Sequence, residues 1–220
     1  MKVDILAHRG WWTSREDQNS LAALSRAFRA GFGVETDIRD CDGHLVISHD
    51  MPRYPVLSLN DLLEEYAKTP QSGPLALNVK ADGMAESLLE ALQCHGISNY
   101  FVFDMSVPDT LHYLRGEANV FMRRSEYERG SLLDAQGQGL WLDAFVASSV
   151  PIADLDYART MAKDVALVSP ELHKMPHEEA WRVWREFIET AGDSGQRCMV
   201  CTDFPDKADN YFNTPVGHQQ

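Results

Sequence analysis

The sequence contains no long uninterrupted apolar stretch, few cysteines and too few basic residues to balance its acids. No run approaches the ~18 apolar residues that a membrane-spanning helix requires, so we expect no membrane span. The first residues, Met1-Lys2-Val3-Asp4, run directly into an apolar strand pattern and are too short and too charged for a secretory signal. These absences favour a cytoplasmic location.

The shortage of basic residues gives the chain a strongly negative charge. It has 20 Lys and Arg against 33 Asp and Glu, for a formal net charge of −13. Such a field repels nucleic acid and anionic membrane surfaces, so we expect neither as a general partner. An anionic small molecule would need a local positive site, supplied by a metal ion or by a few cationic side chains.

The four cysteines are Cys41, Cys94, Cys198 and Cys201. Cys198 and Cys201 have the spacing of a metal-binding pair, but they lie in an apolar strand pattern, where residues three apart point to opposite faces. No second pair is present to complete a zinc site. We therefore expect buried thiols in a reducing compartment.

Short apolar runs alternate with amphipathic stretches along the whole chain. The strand patterns are Val3–Ala7, Gly33–Ile38, His44–Ser48, Leu75–Val79, Tyr100–Phe103, Val120–Met122, Leu140–Phe145, Val165–Val168 and Cys198–Cys201. The helical patterns are Leu21–Ala30, Leu59–Lys68, Met84–Cys94, Pro108–Leu114, Ser131–Gln136, Ile152–Lys163 and Glu178–Ala191. Alternation of this kind predicts parallel strands joined by helical crossovers.

The number of strands predicts the fold. If His44–Ser48 is a short excursion after the second strand, eight β units remain, which is the number that closes a (β/α)8 TIM barrel. No low-complexity segment, linker or shift of composition interrupts the chain, so we predict a single domain over residues 1–220. The segment after Asp209 is expected to pack loosely.

Two carboxylates share one strand face. Glu35 and Asp37 are two residues apart, so both side chains project to the same side and would repel each other unless a cation joins them. Oxygen ligands suit Mg²⁺ or Ca²⁺. Asn78 and Lys80 repeat the spacing on the next β unit, and could offer an amide oxygen to the ion and a charge to a phosphate. A solvated strand edge, or an ion pair with Arg39, is the alternative interpretation.

Two histidines follow apolar strand patterns, where the catalytic residues of a barrel collect. They are His8 and His49, and each has a charged neighbour. Because imidazole titrates near neutral pH, one ring can accept a proton from a nucleophile while the other protonates a leaving alkoxide. Either histidine considered alone would more often be structural.

Four ordered motifs in the first fifty residues resemble those of the glycerophosphodiester phosphodiesterase family, whose usual pattern reads HRG, ENT, ExD and DGxxVxxHD. In this sequence they are His8-Arg9-Gly10, Gln18-Asn19-Ser20, Glu35-Thr36-Asp37 and the segment 42–50, and weaker similarity continues to Asp206. The resemblance implies a (β/α)8 barrel and one divalent metal, Mg²⁺ or Ca²⁺. It implies His8 and His49 as the acid–base pair, Arg9 and Lys80 as phosphate-binding residues, and Glu35 and Asp37 as metal ligands.

The chain departs from the family pattern at three places. Asn78 stands where the family usually has a metal-binding glutamate, so metal affinity should fall unless Glu171 or Asp143 compensates. Gln18 stands where the family often has the glutamate of ENT. The segment between His49 and Asn78 is short, which indicates that the insertion after the second β unit is reduced.

Three functions remain open at this point. The first is metal-dependent hydrolysis of a glycerophosphodiester-like or lysophospholipid-like substrate. The second is a head-group lyase that forms a cyclic phosphate, and the third is a non-catalytic phosphate-binding barrel. Trp11, Trp12 and Trp141 could line an apolar or cation-binding wall, or simply pack beneath loops. The sequence is compatible with a monomer or a homodimer.

Overall fold

The computed structural model describes residues 2–191 and 195–215, and strands alternate with helices along them. The strands are β1 (Asp4–His8), β2 (Gly33–Cys41), β3 (His44–Ile47), β4 (Leu75–Val79), β5 (Tyr100–Phe103), β6 (Phe121–Arg124), β7 (Gly139–Leu142), β8 (Asp164–Val168) and β9 (Cys198–Thr202). The helices are α1 (Leu21–Arg29), α2 (Leu59–Ala67), α3 (Ala85–Cys94), α4 (Val107–Arg115), α5 (Ile152–Thr160), α6 (Glu178–Ala191) and α7 (Pro205–Asn213).

The strands belong to one sheet in the order β5-β4-β2-β1-β9-β8-β7-β6. Neighbours such as β1 with β2, β2 with β4, and β8 with β9 are parallel, whereas β3 pairs with β2 in the antiparallel sense, as expected of a short excursion. A parallel bridge between Val102 and Val120 connects β5 with the residue that precedes β6. Eight strands of this sheet alternate with helices along the chain, which confirms the predicted (β/α)8 class.

Contacts divide the chain into two compact units, which we describe separately: the first unit is Leu6–Phe121 and the second is Met1–Ile5 with Met122–Gln220. In the first unit, Ser20 caps the N-terminus of α1, where its hydroxyl accepts from the backbone N–H of Ala23, and Ser58 caps α2 in the same way. Phe28 of α1 packs edge-on against Tyr66 of α2. Helix capping and apolar packing thus fix α1 and α2 in this unit.

The second unit has its own buried core, which includes Trp184 and Val200. Cys198 and Cys201 are both buried on β9, as expected, and burial raises the pKa of the Cys198 thiol to about 12. The expectation of a loose segment after Asp209 is wrong as far as Asn213, because that residue ends α7 and its side chain bonds both main-chain groups of Val3. Residues 216–220 lie outside the described residues.

Some element boundaries differ from the sequence patterns. The pattern Leu140–Phe145 predicts a longer strand than the observed β7. The strand ends earlier because the backbone N–H groups of Phe145, Val146 and Ala147 donate to the carboxylate of Glu126 and not to a strand partner. Partial burial raises the pKa of Glu126, but these hydrogen bonds outweigh it and lower the pKa to about 2. The helical pattern at Ser131–Gln136 is only a 3-10 turn. Among the described residues, no helix is both long and apolar enough to cross a membrane.

Candidate active site

The turn after β1 brings the first motif to the end of β2. His8 is in register with Glu35, and its Nε2 lies 3.8 Å from a carboxylate oxygen of that residue. Arg9 adopts a left-handed backbone with φ +56°, and its N–H donates to the Glu35 carbonyl at 2.8 Å. A non-glycine residue in this region carries strain that the surrounding structure must sustain, and such strain is concentrated at functional sites.

Gly10 completes this turn and admits no other residue without rearrangement. Its φ is +88°, and a Cβ there would lie 2.8 Å from backbone atoms of Ala23 and Leu24. The turn can therefore pack against the first turn of α1 only because the side chain is missing. This close approach holds Arg9 directly beside the end of β2.

The two carboxylates on β2 are almost fully buried, Glu35 at 3% and Asp37 at 1% exposure. Asp37 is the centre of a charged cluster. Its oxygens lie 3.3 Å from Nε of Arg9 and 3.4 Å from Nζ of Lys80, so two cationic side chains meet on one carboxylate. The sequence predicts Asp37 as a metal ligand; in the structure its carboxylate lies within ion-pairing distance of both Arg9 and Lys80.

Asn19 is a site residue to which the sequence analysis assigned no role. Its amide nitrogen donates to Asp37 at 2.9 Å, and its amide oxygen accepts from the hydroxyl of Thr36 at 2.8 Å. The backbone of Asn19 has φ +59°, a conformation that asparagine tolerates better than most residues. The sequence feature that could have identified Asn19 as a site residue is its position in the Gln18-Asn19-Ser20 motif, directly before the residue that caps α1.

Lys80 and Asn78 complete the site from β4. Nζ of Lys80 lies 3.6 Å from Asp104, a second partner that follows β5. Asn78 is paired in register with Asp37, and its amide nitrogen donates to one oxygen of Glu35 at 3.3 Å. The other oxygen of Glu35 and the amide oxygen of Asn78 are buried without a hydrogen-bond partner. Two unsatisfied acceptors therefore sit on adjacent strands.

The donor set fits a cation in part. Glu35 and Asn78 each present a buried unpartnered oxygen, which is the chemistry that Mg²⁺ or Ca²⁺ requires. The oxygens of Asp37 already contact Asn19, Arg9 and Lys80. Over residues 2–191 and 195–215, no three His, Cys, Asp or Glu side chains are gathered to hold a metal, so an ion here depends on the amide of Asn78.

The pKa of Glu35 is raised from 4.5 to about 7, mainly by burial and next by the charge of Asp37, with His8, Lys80 and Arg9 opposing the shift. Because the folded protein then binds the proton more tightly than the unfolded chain, stability should fall as pH rises from 4.5 to about 7. Above the raised pKa, the free energy of unfolding should be lower by at most about 3 kcal/mol than it is below pH 4.5.

Denaturant unfolding in a chelating buffer, at several pH values across that interval, measures this effect. Glu35→Gln should flatten the pH dependence, whereas Glu64→Gln, an exposed change on α2, should leave it unaltered. An unchanged slope in Glu35→Gln would show that Glu35 does not titrate in this range.

His49 lies beyond the end of β3, next to β2. The N–H of Ser48 donates to the carbonyl of Asp37 at 3.0 Å, and Nε of Arg39 donates to the carbonyl of His49 at 3.1 Å. The imidazole Nδ1 is 2.9 Å from Asp50, and the side chain is 46% exposed. The pKa of Asp50 is lowered, mainly by its hydrogen bond with His49 and to a smaller extent by the positive charge of Arg9.

The remaining residues that the sequence singled out have partners of their own. The indole of Trp12 donates to the carbonyl of His8 at 3.0 Å, and Trp11 packs edge-on against Phe32. In the second unit Trp141 is buried at 5% exposure, Asp143 accepts from His173 at 2.7 Å, and Glu171 accepts from Thr202 and Asp203. The two acids proposed to compensate for Asn78 are therefore already engaged by local donors.

Comparison with known proteins places the fold. The structure matches a glycerophosphodiester phosphodiesterase from Agrobacterium tumefaciens with a TM-score of 0.67 and 16% identity, over 96% of this chain and 100% of that one. A second match, a glycerophosphoryl diester phosphodiesterase from Parabacteroides distasonis, has a TM-score of 0.56 and 11% identity over 98% and 89% of the two chains. The chain has the barrel fold of the glycerophosphodiester phosphodiesterases.

A Ca²⁺-dependent phosphatidylinositol-specific phospholipase C from Streptomyces antibioticus also matches, with a TM-score of 0.54 and 10% identity over 96% of each chain. No family model and no curated protein sequence matches this chain. The structural matches also include a barrel enzyme of another reaction class, an isomerase. The fold alone therefore does not decide the activity, and function has to be argued from the site.

Proposed function

We propose that the site around Glu35 and Asp37 cleaves the phosphodiester bond of a small glycerophosphodiester-like or lysophospholipid-like substrate, with His8 and His49 as the acid–base pair. One observation carries the proposal: Arg9 and Lys80 converge on buried Asp37 in a chain whose net charge is −13. Two cations held together at a strand end can attract and orient a phosphate that the rest of the surface repels.

Arg9 and Lys80 bind the phosphate. Their side chains are 22% and 20% exposed, so they are partly desolvated and still accessible. Arg9 also contacts Gln18 at 3.4 Å. Charge-assisted hydrogen bonds from these two side chains to non-bridging oxygens would fix the substrate, and Asp37 with Asn19 keeps the two cations in place before it arrives.

Glu35, Asn78 and Asp37 are the residues that would hold one divalent cation, Mg²⁺ or Ca²⁺. When bound, that cation would neutralise non-bridging oxygens and lower the pKa of the attacking water, whose proton His49 would accept. The unpartnered oxygens of Glu35 and Asn78 support this assignment. In place of a family glutamate, Asn78 supplies an oxygen without a charge, so we expect weaker metal binding.

The histidines move the protons. Asp50 holds Nδ1 of His49 at 2.9 Å, which orients the ring and leaves Nε2 for the base role. His8 is adjacent to Glu35 and protonates the leaving oxygen. The opposite division of roles fits the same geometry.

Analysis of products by ³¹P NMR tests the proposal. Purified protein is incubated with glycerophosphocholine and, in a parallel sample, lysophosphatidylcholine, each with Mg²⁺, Ca²⁺ or Mn²⁺ and again with EDTA. We expect a phosphate monoester that disappears with EDTA. A cyclic phosphate would indicate the lyase, and binding of either compound without turnover would indicate the non-catalytic barrel. Absence of both products and binding would contradict the assignment.

A further inference from the structure

A groove of about 830 Å³ lies between α3 and α4, within the first unit. Its lining contains four carboxylates, from Asp82, Glu86, Glu90 and Asp109, and no lysine or arginine; His112 is its one basic side chain. We call it the acidic groove. None of its carboxylates forms an ion pair with a Lys or Arg of the described residues, whereas most buried acids elsewhere, such as Asp37 and Asp134, do.

Asp109 is the feature that distinguishes this groove from an ordinary acidic helix surface. It is 4% exposed, and one carboxylate oxygen accepts from the N–H of Gly83 at 3.0 Å. The other oxygen is buried and has no hydrogen-bond partner, and neither does the buried hydroxyl of Tyr113 on the next turn of α4. A buried acceptor left unsatisfied is costly, and because Asp109 lines the groove, a donor bound there would remove that cost.

The distribution of the acids indicates the kind of donor. Across the part of the chain that the structure describes, no three acidic, histidine or cysteine side chains are gathered at a point, so these carboxylates do not form a metal cage. Glu86 and Glu90 are one turn apart on α3, with a separation of about 5–6 Å between Cβ atoms, comparable to the ammonium spacing of short aliphatic diamines. Leu89 adds apolar surface between them for methylene groups.

We propose that the acidic groove binds a linear aliphatic polyamine, with one ammonium group donating to Asp109 and others to the carboxylates of α3. This site is separate from the phosphodiester chemistry and does not depend on it. A polycation with spaced charges fits four separated carboxylates on an apolar floor better than a compact divalent ion does.

Calorimetric titration of the full chain with spermidine in low-salt buffer tests the proposal. We expect saturable binding of one equivalent that weakens with added salt. Glu86→Gln/Glu90→Gln should raise Kd by about tenfold, in keeping with the modest strength of exposed ion pairs, and Asp109→Asn should weaken binding as well. The double variant keeps the test valid if the buried Asp109→Asn change disturbs folding.

The matched control is Glu64→Gln/Glu178→Gln, which removes two exposed acids that do not line the groove. Its Kd should stay within about twofold of the original protein, since neither residue lines the groove. Equal weakening in both double variants would show non-specific attraction to the acidic surface. That result, the absence of saturable binding, or equal competition by Mg²⁺ at matched ionic strength would each overturn the proposal.

Discussion

His8→Ala and His49→Ala should each lower kcat for phosphodiester cleavage by ~10²–10⁴-fold, the range typical of a lost general acid or base. The reason is structural as well as chemical. His8 is held against Glu35 at the end of β1, and His49 is oriented by Asp50.

His44→Ala is the matched control for these two variants. His44 is an exposed histidine at the start of β3, and we assign it no role in the reaction. Its kcat should equal that of the original protein. The folded state of all three variants is checked by thermal unfolding, so that a loss of rate is not a loss of structure. A His8 or His49 variant with full activity would reject that residue's role.

The second large effect concerns stability. Arg124→Met should reduce the free energy of unfolding by about 3–5 kcal/mol, because it removes the guanidinium that pairs with two buried carboxylates and leaves Asp134 only the hydroxyl of Tyr157 and Asp154 only the more distant Arg129. The guanidinium lies 2.7 Å from Asp134 and 3.1 Å from Asp154, and it stacks 4.0 Å from the centre of the Tyr157 ring. Arg129, 3.5 Å from Asp154, can replace only part of this charge.

Arg182→Met provides the comparison for Arg124→Met. Arg182 forms ion pairs with Glu179 and Glu186 on the exposed face of α6, where solvent screens the charges, so its loss should have little effect on stability. Denaturant unfolding with a common m-value measures both variants. Equal destabilisation by the two variants would show that the buried ion pairs of Arg124 contribute no more to stability than the exposed ion pairs of Arg182.

The alternation of strand and helix patterns was sufficient to predict the barrel class and the neighbourhood of the site. Glu35 and Asp37 share a face because they are two apart, and the strand order then brings Asn78 beside them. The short excursion after the second strand, β3, was also predicted, and the structure adds that it pairs in the antiparallel sense. These features can be predicted from the sequence because they depend on local periodicity and on the general rule that the functional residues of a barrel lie at the C-terminal ends of its strands.

Other features depend on contacts that periodicity does not encode. Asn19 contacts Asp37 from a left-handed backbone position, and Lys80 contacts Asp104, which follows the neighbouring strand β5. α7 was missed because its residues are largely polar, and its position depends on the bonds between Asn213 and Val3. The single-domain organisation, the cytoplasmic location and the monomeric or homodimeric state stay predictions.

An anomalous-scattering map from crystals grown with Mn²⁺ tests the central claim most directly. Mn²⁺ favours the same oxygen ligands as Mg²⁺, and its anomalous signal identifies it without ambiguity. We predict one strong peak in contact with the carboxylate of Glu35 and the amide oxygen of Asn78, and its loss in Glu35→Gln. A map at saturating Mn²⁺ with no peak beside these two residues would contradict the idea that the strand-end acids create a positive site for phosphate.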